Sequence, residues 1–293
     1  MKKENKKEEE EKVTLDNYNS LNDYLFYKYM CEEGNEKQQK TFLKAIGVPI
    51  KGELKIKNET IAPEIINRKK CILDFLTETN DTLINIELQQ QDKTDFKDRI
   101  AYYMSKLTRL EKGNDYNVFK KVLIITIVNF KMNNLQNYKQ EYKIVNIKDP
   151  TDIFTEKVHI ITIELKKFKK IEKNLNNREH LYLSFIDKET DHNQRKEMGK
   201  MDEGLKSAVK KLEDVLQSEE QLRIYHKVEL EKTIAEKEKL RTEEKIKQGV
   251  EKGRKEGIKK EKMEIAIELK KMGLDIEKIA KVTKLSTDFI EKL

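Results

Sequence analysis

The segment from Cys71 to Gln91 constrains the fold of this chain more than any other. On either side of Asn80-Asp81, apolar and polar residues alternate one by one. That period of two marks half-buried strands, and Asn and Asp are turn formers, so the pattern predicts a hairpin with strands over 72–77 and 82–89. With Asn80 and Asp81 as the turn residues, Thr79 faces Thr82, Asp74 faces Glu87 and Ile72 faces Gln89. Leu73, Phe75, Ile84, Ile86 and Leu88 make an apolar side. Side chains two positions apart share a face, so Asp74, Glu87 and Gln89 project together from the other side. Opposed carboxylates repel, at a cost of roughly 0.2–1 kcal/mol. A divalent cation reverses that sign, because hard cations take oxygen ligands from such pairs. The alternative is a solvated outer face on which both acids meet water. The hairpin by itself leaves both readings open.

At 293 residues the chain can hold one sizeable core with an appendage, or two small domains. Its net charge of +7, from 61 basic and 54 acidic residues, permits a nucleic-acid partner without requiring one. The two cysteines, Cys31 and Cys71, form no CxxC pair, and His159, His180, His192 and His226 have no zinc-ligand spacing. A structural zinc site and a disulfide framework are therefore not expected. The N-terminus is a charge run and no signal peptide, and the longest apolar run, Val122–Val128, is too short to cross a bilayer. The expectation is a reduced, cytoplasmic location with no membrane partner. Gly47-Val-Pro-Ile-Lys-Gly52 has the glycine spacing of a phosphate loop, but Glu53 follows it, so it reads as a turn. No G-x-S-x-G or G-x-G-x-x-G motif is present.

Along the chain, residues 1–14 read as a disordered, charged N-terminus. Asp16–Ile46 is helical in character. Leu21, Leu25, Tyr29 and Met30 form one stripe, and Phe42, Leu43 and Ile46 a second after a break at Gly34-Asn35. Asp23 falls early in the first helix, where an acid is favourable in its own right. Residues 56–65 show a weak strand pattern. Phe96, Ile100, Tyr103, Met104, Leu107 and Leu110 predict a helix from Thr94 or Asp95 to Lys112, stopped by Gly113. Arg99, Tyr102 and Lys106 line a neighbouring face, either as a solvated surface or as a basic stripe for phosphates. Residues 122–128 and 158–165 read as buried strands and 139–147 as an edge strand. Helices alternating with strands predict an α/β sheet covered by helices.

From about residue 195 the chain turns helical and charged. Leu205, Val209, Leu212, Val215 and Leu216 form an apolar stripe. Residues 195–262 read as a charged helical linker, weakened at Gly249, Gly253 and Gly257 by about 1 kcal/mol each. In 263–293, a helix closed by Gly273 precedes two more, capped by Asp275 and Ser286. These make a small helix-turn-helix-like unit that either touches DNA or self-associates.

The order of these pieces carries a resemblance. It runs through Asn22-Asp-Tyr-Leu-Phe-Tyr-Lys28, Ile72-Leu-Asp-Phe75, Asn85-Ile-Glu-Leu-Gln89, Phe96-Lys-Asp-Arg-Ile-Ala-Tyr-Tyr103 and Ile161-Thr-Ile-Glu-Leu-Lys-Lys-Phe168. It continues through Ala208–Glu213, the three spaced glycines and Ile265–Gly273. From about residue 20 onward the chain resembles the PD-(D/E)XK nuclease family transposases, also called the Rpn or recombination-promoting nuclease family. The resemblance implies a restriction-endonuclease-like core, a mixed sheet flanked by helices over 15–190, followed by a helical C-terminal region. It implies a DNA endonuclease that hydrolyses phosphodiesters with Mg²⁺, or with Mn²⁺ or Ca²⁺, and that serves recombination or mobile elements.

Residue by residue, the resemblance makes Asp74 and Glu87 the metal-binding acids and Asp23 a third acid. Gln89 stands where the wider superfamily has lysine. It brings hydrogen bonds where lysine would bring charge. Arg99 and Lys106 are the candidate DNA contacts. A homodimer would suit the cutting of two strands. The alternative is a non-catalytic DNA-binding or interaction protein that keeps the nuclease fold.

Overall fold

A computed structural model describes residues 13–15, 17–57, 75–92, 95–108, 115–116 and 119–293. Among them the hairpin keeps the expected register. Strands β2 (Phe75–Glu78) and β3 (Thr82–Gln89) run antiparallel, with Phe75 opposite Ile86 and Thr77 opposite Ile84. The turn is held by side chains as well as backbone. Thr79 N donates to Thr82 O at 2.8 Å, and the Asp81 carboxylate accepts from the hydroxyls of Thr79 and Thr82 at 3.0 and 2.9 Å. Those hydroxyl donors lower the Asp81 pKa. Residues 72–74 of the expected first strand, Asp74 among them, lie outside the described residues.

Six described strands form one sheet. The short β1 (Lys55–Ile56) pairs antiparallel with β2; the rest of the weak strand expected over 56–65 is Lys57, which follows β1, and residues outside the described set. At the centre, β3, β4 (Lys121–Val128) and β6 (Ile153–Glu164) run parallel, and β5 (Lys139–Val145) pairs antiparallel with β6 at the edge. The β6 strand starts five residues before the apolar run, because backbone pairing with β5, through register shifts near Ile144, extends it into exposed sequence. It ends at Glu164, and Leu165 already opens the short helix α4 (Leu165–Phe168).

Most of the helices cover one face of this sheet. Helix α1 (Asp23–Phe26) continues as a π-turn through Cys31, and α2 (Glu36–Ala45) follows the break at Gly34, whose φ is +94°. Gly47 and Gly52 also have positive φ, in accord with a turn there. Helices α5 (Arg178–Ile186), α6 (His192–Met201) and α7 (Glu203–Gln217) complete the layer. Their apolar side chains and those of the N-terminal helices share one core with Ile84, Ile86, Leu88, Leu123, Ile125 and Ile127. All five residues of the stripe from Leu205 to Leu216 lie in it.

Among the described residues, the opposite face carries one helix, α3 (Phe96–Leu107), whose Phe96, Ile100 and Tyr103 pack on Val122, Ile124 and Val128. The helix ends at Leu107, and residues 109–112 of the expected span lie outside the described residues. Thr108 is its C-cap, and the Thr108 hydroxyl donates to Ser105 O at 3.1 Å, a local bond that competes with further helix.

The chain forms two compact units, Met1–Glu229 and Leu230–Leu293. Helix α8 (Glu219–Lys271) begins in the first and runs on unbroken through Gly249, Gly253 and Gly257, where the sequence predicts a weakened helix. Lys and Glu are good helix formers, and pairs such as Glu251–Lys255 at 2.9 Å add support, which offsets the glycines. In the second unit, Ala266 of α8, Ile279 of α9 (Ile276–Thr283) and Ile290 of α10 (Thr287–Glu291) form a small core. Asp275 and Ser286 occupy the N-cap positions and Gly273 has a φ of +76°.

Candidate active site

The alternation of β3 sends Ile84, Ile86 and Leu88 into the main core and Asn85, Glu87 and Gln89 to the side that α3 covers. Glu87 is 1% exposed and Gln89 9%. The solvated outer face considered from the sequence is therefore overturned: a helix closes over it. A buried carboxylate needs a cationic or hydrogen-bonding partner. Arg99 provides one from α3. Its Nη2 lies 2.7 Å from Glu87 Oε1 and 2.5 Å from Gln89 Oε1. The guanidinium is flanked by the rings of Phe96 and Tyr103, at 5.6 and 6.0 Å, one turn before and one turn after it. The Gln89 amide nitrogen donates to Gln91 O at 3.0 Å.

A polar row extends from Glu87 across the parallel strands. Thr126 of β4 stands opposite Glu87, and Thr162 of β6 opposite Thr126. The hydroxyls of both threonines and both amide atoms of Asn85 are buried and make no hydrogen bond to another described residue. Further along this face, Glu164 is fully buried; it accepts from Met132 N at 2.8 Å and pairs with Lys167 Nζ at 2.6 Å.

A second network ties the N-terminal motif to the end of β3. The buried Asn22 donates to Glu229 Oε1 at 2.7 Å, and Asn19 donates to the same oxygen and to Gln90 Oε1, both at 3.3 Å. Asn19 N donates to the Tyr225 hydroxyl at 2.9 Å, and Gln90 Nε2 donates to Leu21 O. Asp23 follows Asn22 in the first turn of α1 and is half-buried.

Of the residues expected at the site, the structure brings Glu87, Gln89 and Arg99 into direct contact. Lys106 is exposed, with its ammonium 4.8 Å from the Tyr102 ring centroid, so the basic stripe splits: Arg99 turns to the sheet while Tyr102 and Lys106 face out. Sequence reasoning missed Glu229, Asn19 and Asn22 as partners. Only the Asn22-Asp23 motif pointed there.

The family model of the PD-(D/E)XK nuclease family transposases matches residues 20–244. The chain belongs to this family. Searches of curated proteins and of solved structures gave no significant match. The mixed six-stranded sheet with flanking helices is consistent with the restriction-endonuclease-like fold of the PD-(D/E)XK nucleases. The family points to a nuclease-type function and a DNA substrate, and its members generally use divalent metals. Among the described residues no helix is long and apolar enough to cross a membrane.

Two of the residues present carry donors of the kind such a metal takes. Among the described residues no three His, Cys, Asp or Glu side chains cluster, and Asp74, the second expected acid, lies outside them. Yet Glu87 Oε1 and Gln89 Oε1 are hard oxygen donors, the type that Mg²⁺ and Mn²⁺ prefer, and both already converge on one positive nitrogen. A hydrated cation beside Glu87 would also bring partners for the buried atoms of Asn85 and Thr126.

Proposed function

We propose that this protein is a metal-dependent DNA endonuclease whose centre lies on the α3-covered face of the sheet. The observation that supports this most is the convergence of Glu87 and Gln89 on a single cationic nitrogen in a buried, polar setting. Glu87 and Asp74 would hold Mg²⁺ or Mn²⁺, with Asp23 as a further acid on α1. A divalent ion held there would supply a water of lowered pKa and withdraw charge from the scissile phosphate. Gln89 then orients the attacking water through its carbonyl oxygen, or a phosphate oxygen through its amide protons. The Arg99 fork, once released from the carboxylate, matches a phosphate. The face that α3 covers keeps bulk water from these groups, which strengthens each electrostatic contact. Recombination or mobile-element movement in the cytoplasm, by a homodimer where both strands are cut, is the role this reading assigns.

One observation favours a second reading, a DNA-binding protein that does not cut. Arg99 already neutralises Glu87. Incubating supercoiled plasmid with the protein in Mg²⁺, Mn²⁺, Ca²⁺ or EDTA decides between them. The endonuclease nicks or linearises the plasmid in Mg²⁺ or Mn²⁺ and leaves it intact in EDTA. Retarded but uncut plasmid in every metal selects the second reading.

A further inference from the structure

At the carboxyl ends of the parallel strands a groove of about 870 Å³ opens beside Gln90 and Asn129. Clefts at this end of parallel strands are where open α/β sheets bind ligands. The charge of the groove is one-sided. Six lysines line it, Lys131, Lys166, Lys167, Lys169, Lys170 and Lys188, against one acid, Glu189. Two of the six are neutralised: Lys167 pairs with Glu164 at 2.6 Å, and Lys169 with Asp187 at 3.2 Å and Glu189 at 2.6 Å. The other four, Lys131, Lys166, Lys170 and Lys188, are exposed and have no ion pair among the described residues.

Their arrangement selects the kind of anion. A compact site for one small anion gathers backbone amides or a bidentate arginine around a point. Here the charges are ammonium groups on flexible stems, contributed by the segment after β4, by α4 and the turn after it, and by the segment after α5. Spread point charges suit a chain of phosphates, read without regard to sequence. The groove also adjoins the proposed centre. Asn129 N donates to Gln89 O at 2.9 Å, and Gln90 follows Gln89 in the chain. By contrast, the α3 stripe offers only Lys106, since Arg99 is engaged with Glu87 and Gln89.

We infer that this groove is the track that holds the phosphate backbone of DNA and leads it to Gln89. The choice of DNA as the polyanion rests on the nuclease reading.

The test is fluorescence anisotropy with a labelled random-sequence duplex in EDTA, across a range of salt. It compares wild type, K131Q/K166Q/K170Q/K188Q, and a control in which the exposed Lys37, Lys44, Lys148 and Lys210 are changed to Gln. Each lost phosphate contact lowers the slope of log affinity against log salt by about 0.9, so the groove variant should lose about 3.6 and bind at least about tenfold more weakly. The control should stay near wild type. Equal slopes and affinities in wild type and groove variant overturn the inference, and so does an equal loss in the control, because net charge then accounts for it. Thermal melting confirms that each variant is folded. Groove-dependent binding in a wild type that cuts nothing leaves the groove standing and removes the nuclease reading. Unchanged binding and cutting by the groove variant does the reverse.

Discussion

Arg99 Nη2 touches two acceptors at once, Glu87 Oε1 at 2.7 Å and Gln89 Oε1 at 2.5 Å. A guanidinium from the covering helix thus stands where the proposed centre needs positive charge. Cation and arginine would compete for the same oxygens. Replacing Arg99 with Met removes the competitor and leaves the buried carboxylate without its guanidinium. In EDTA this should destabilise the protein by about 3–5 kcal/mol, as when one member of a buried pair is deleted. Mn²⁺ should then raise the melting temperature of R99M more than that of wild type. Equal metal-induced shifts would show that Arg99 does not occupy the cation's place.

Arg195 is 1% exposed and donates to three backbone carbonyls and one hydroxyl. Its Nε donates to Phe185 O at 2.8 Å, its Nη2 to Asp187 O at 2.6 Å, and its Nη1 to the Tyr18 hydroxyl at 3.1 Å and to Thr190 O. One lysine ammonium cannot reach this spread of acceptors. R195K should lower stability by on the order of 3 kcal/mol, since each abandoned buried acceptor costs about 1–3 kcal/mol. Urea unfolding reads this as a lower midpoint at unchanged slope; an unchanged midpoint would refute it.

Glu78, at the end of β2, accepts from Lys120 at 2.5 Å and pairs with Lys57 at 3.0 Å. Hydrogen bonds from these two lysines hold its pKa below the ordinary 4.5. A carboxylate with a depressed folded-state pKa stabilises the fold above its unfolded value, and the contribution fades as pH falls through the folded value. E78Q should therefore melt below wild type at pH 7, and the two should converge as pH falls through the lowered folded-state value of Glu78. A gap that persists in acid would mean the effect is one of packing.

Gly249, Gly253 and Gly257 lie within α8, and a Cβ added at any of them meets nothing within 4 Å. Alanine at each should stabilise the helix by about 1 kcal/mol. Circular dichroism on heating should show higher helicity in the triple variant. A loss of helicity would show that the glycines serve a bend or a close approach.

The alternating hairpin made the shared face of Glu87 and Gln89 legible, because a period of two leaves no other arrangement. Their burial was not legible, because α3 covers them from further along the chain. Arg99 borders the apolar stripe of α3, and the sequence pattern does not say to which side a boundary residue turns. Helix α5 escaped notice since Leu181–Ile186 is buried all round and shows no amphipathic period. Glu229 was hidden in a charged tract, and its partner Asn22 is 207 residues away. The groove lysines at 166–170 follow the strand expected over 158–165, and no sequence pattern showed that the chain turns into α4 at Leu165.

The most direct test of the account is the rate of plasmid cleavage by E87Q beside wild type in Mn²⁺, with DNA affinity measured in parallel. Glutamine keeps the size of Glu87 and removes its charge. If Glu87 holds the metal, cleavage falls by at least about a hundredfold, the order expected when an electrostatic group of the transition state is lost, while affinity for DNA is retained. Cleavage at the wild-type rate by E87Q would contradict the account, and Glu87 would then be a structural partner of Arg99.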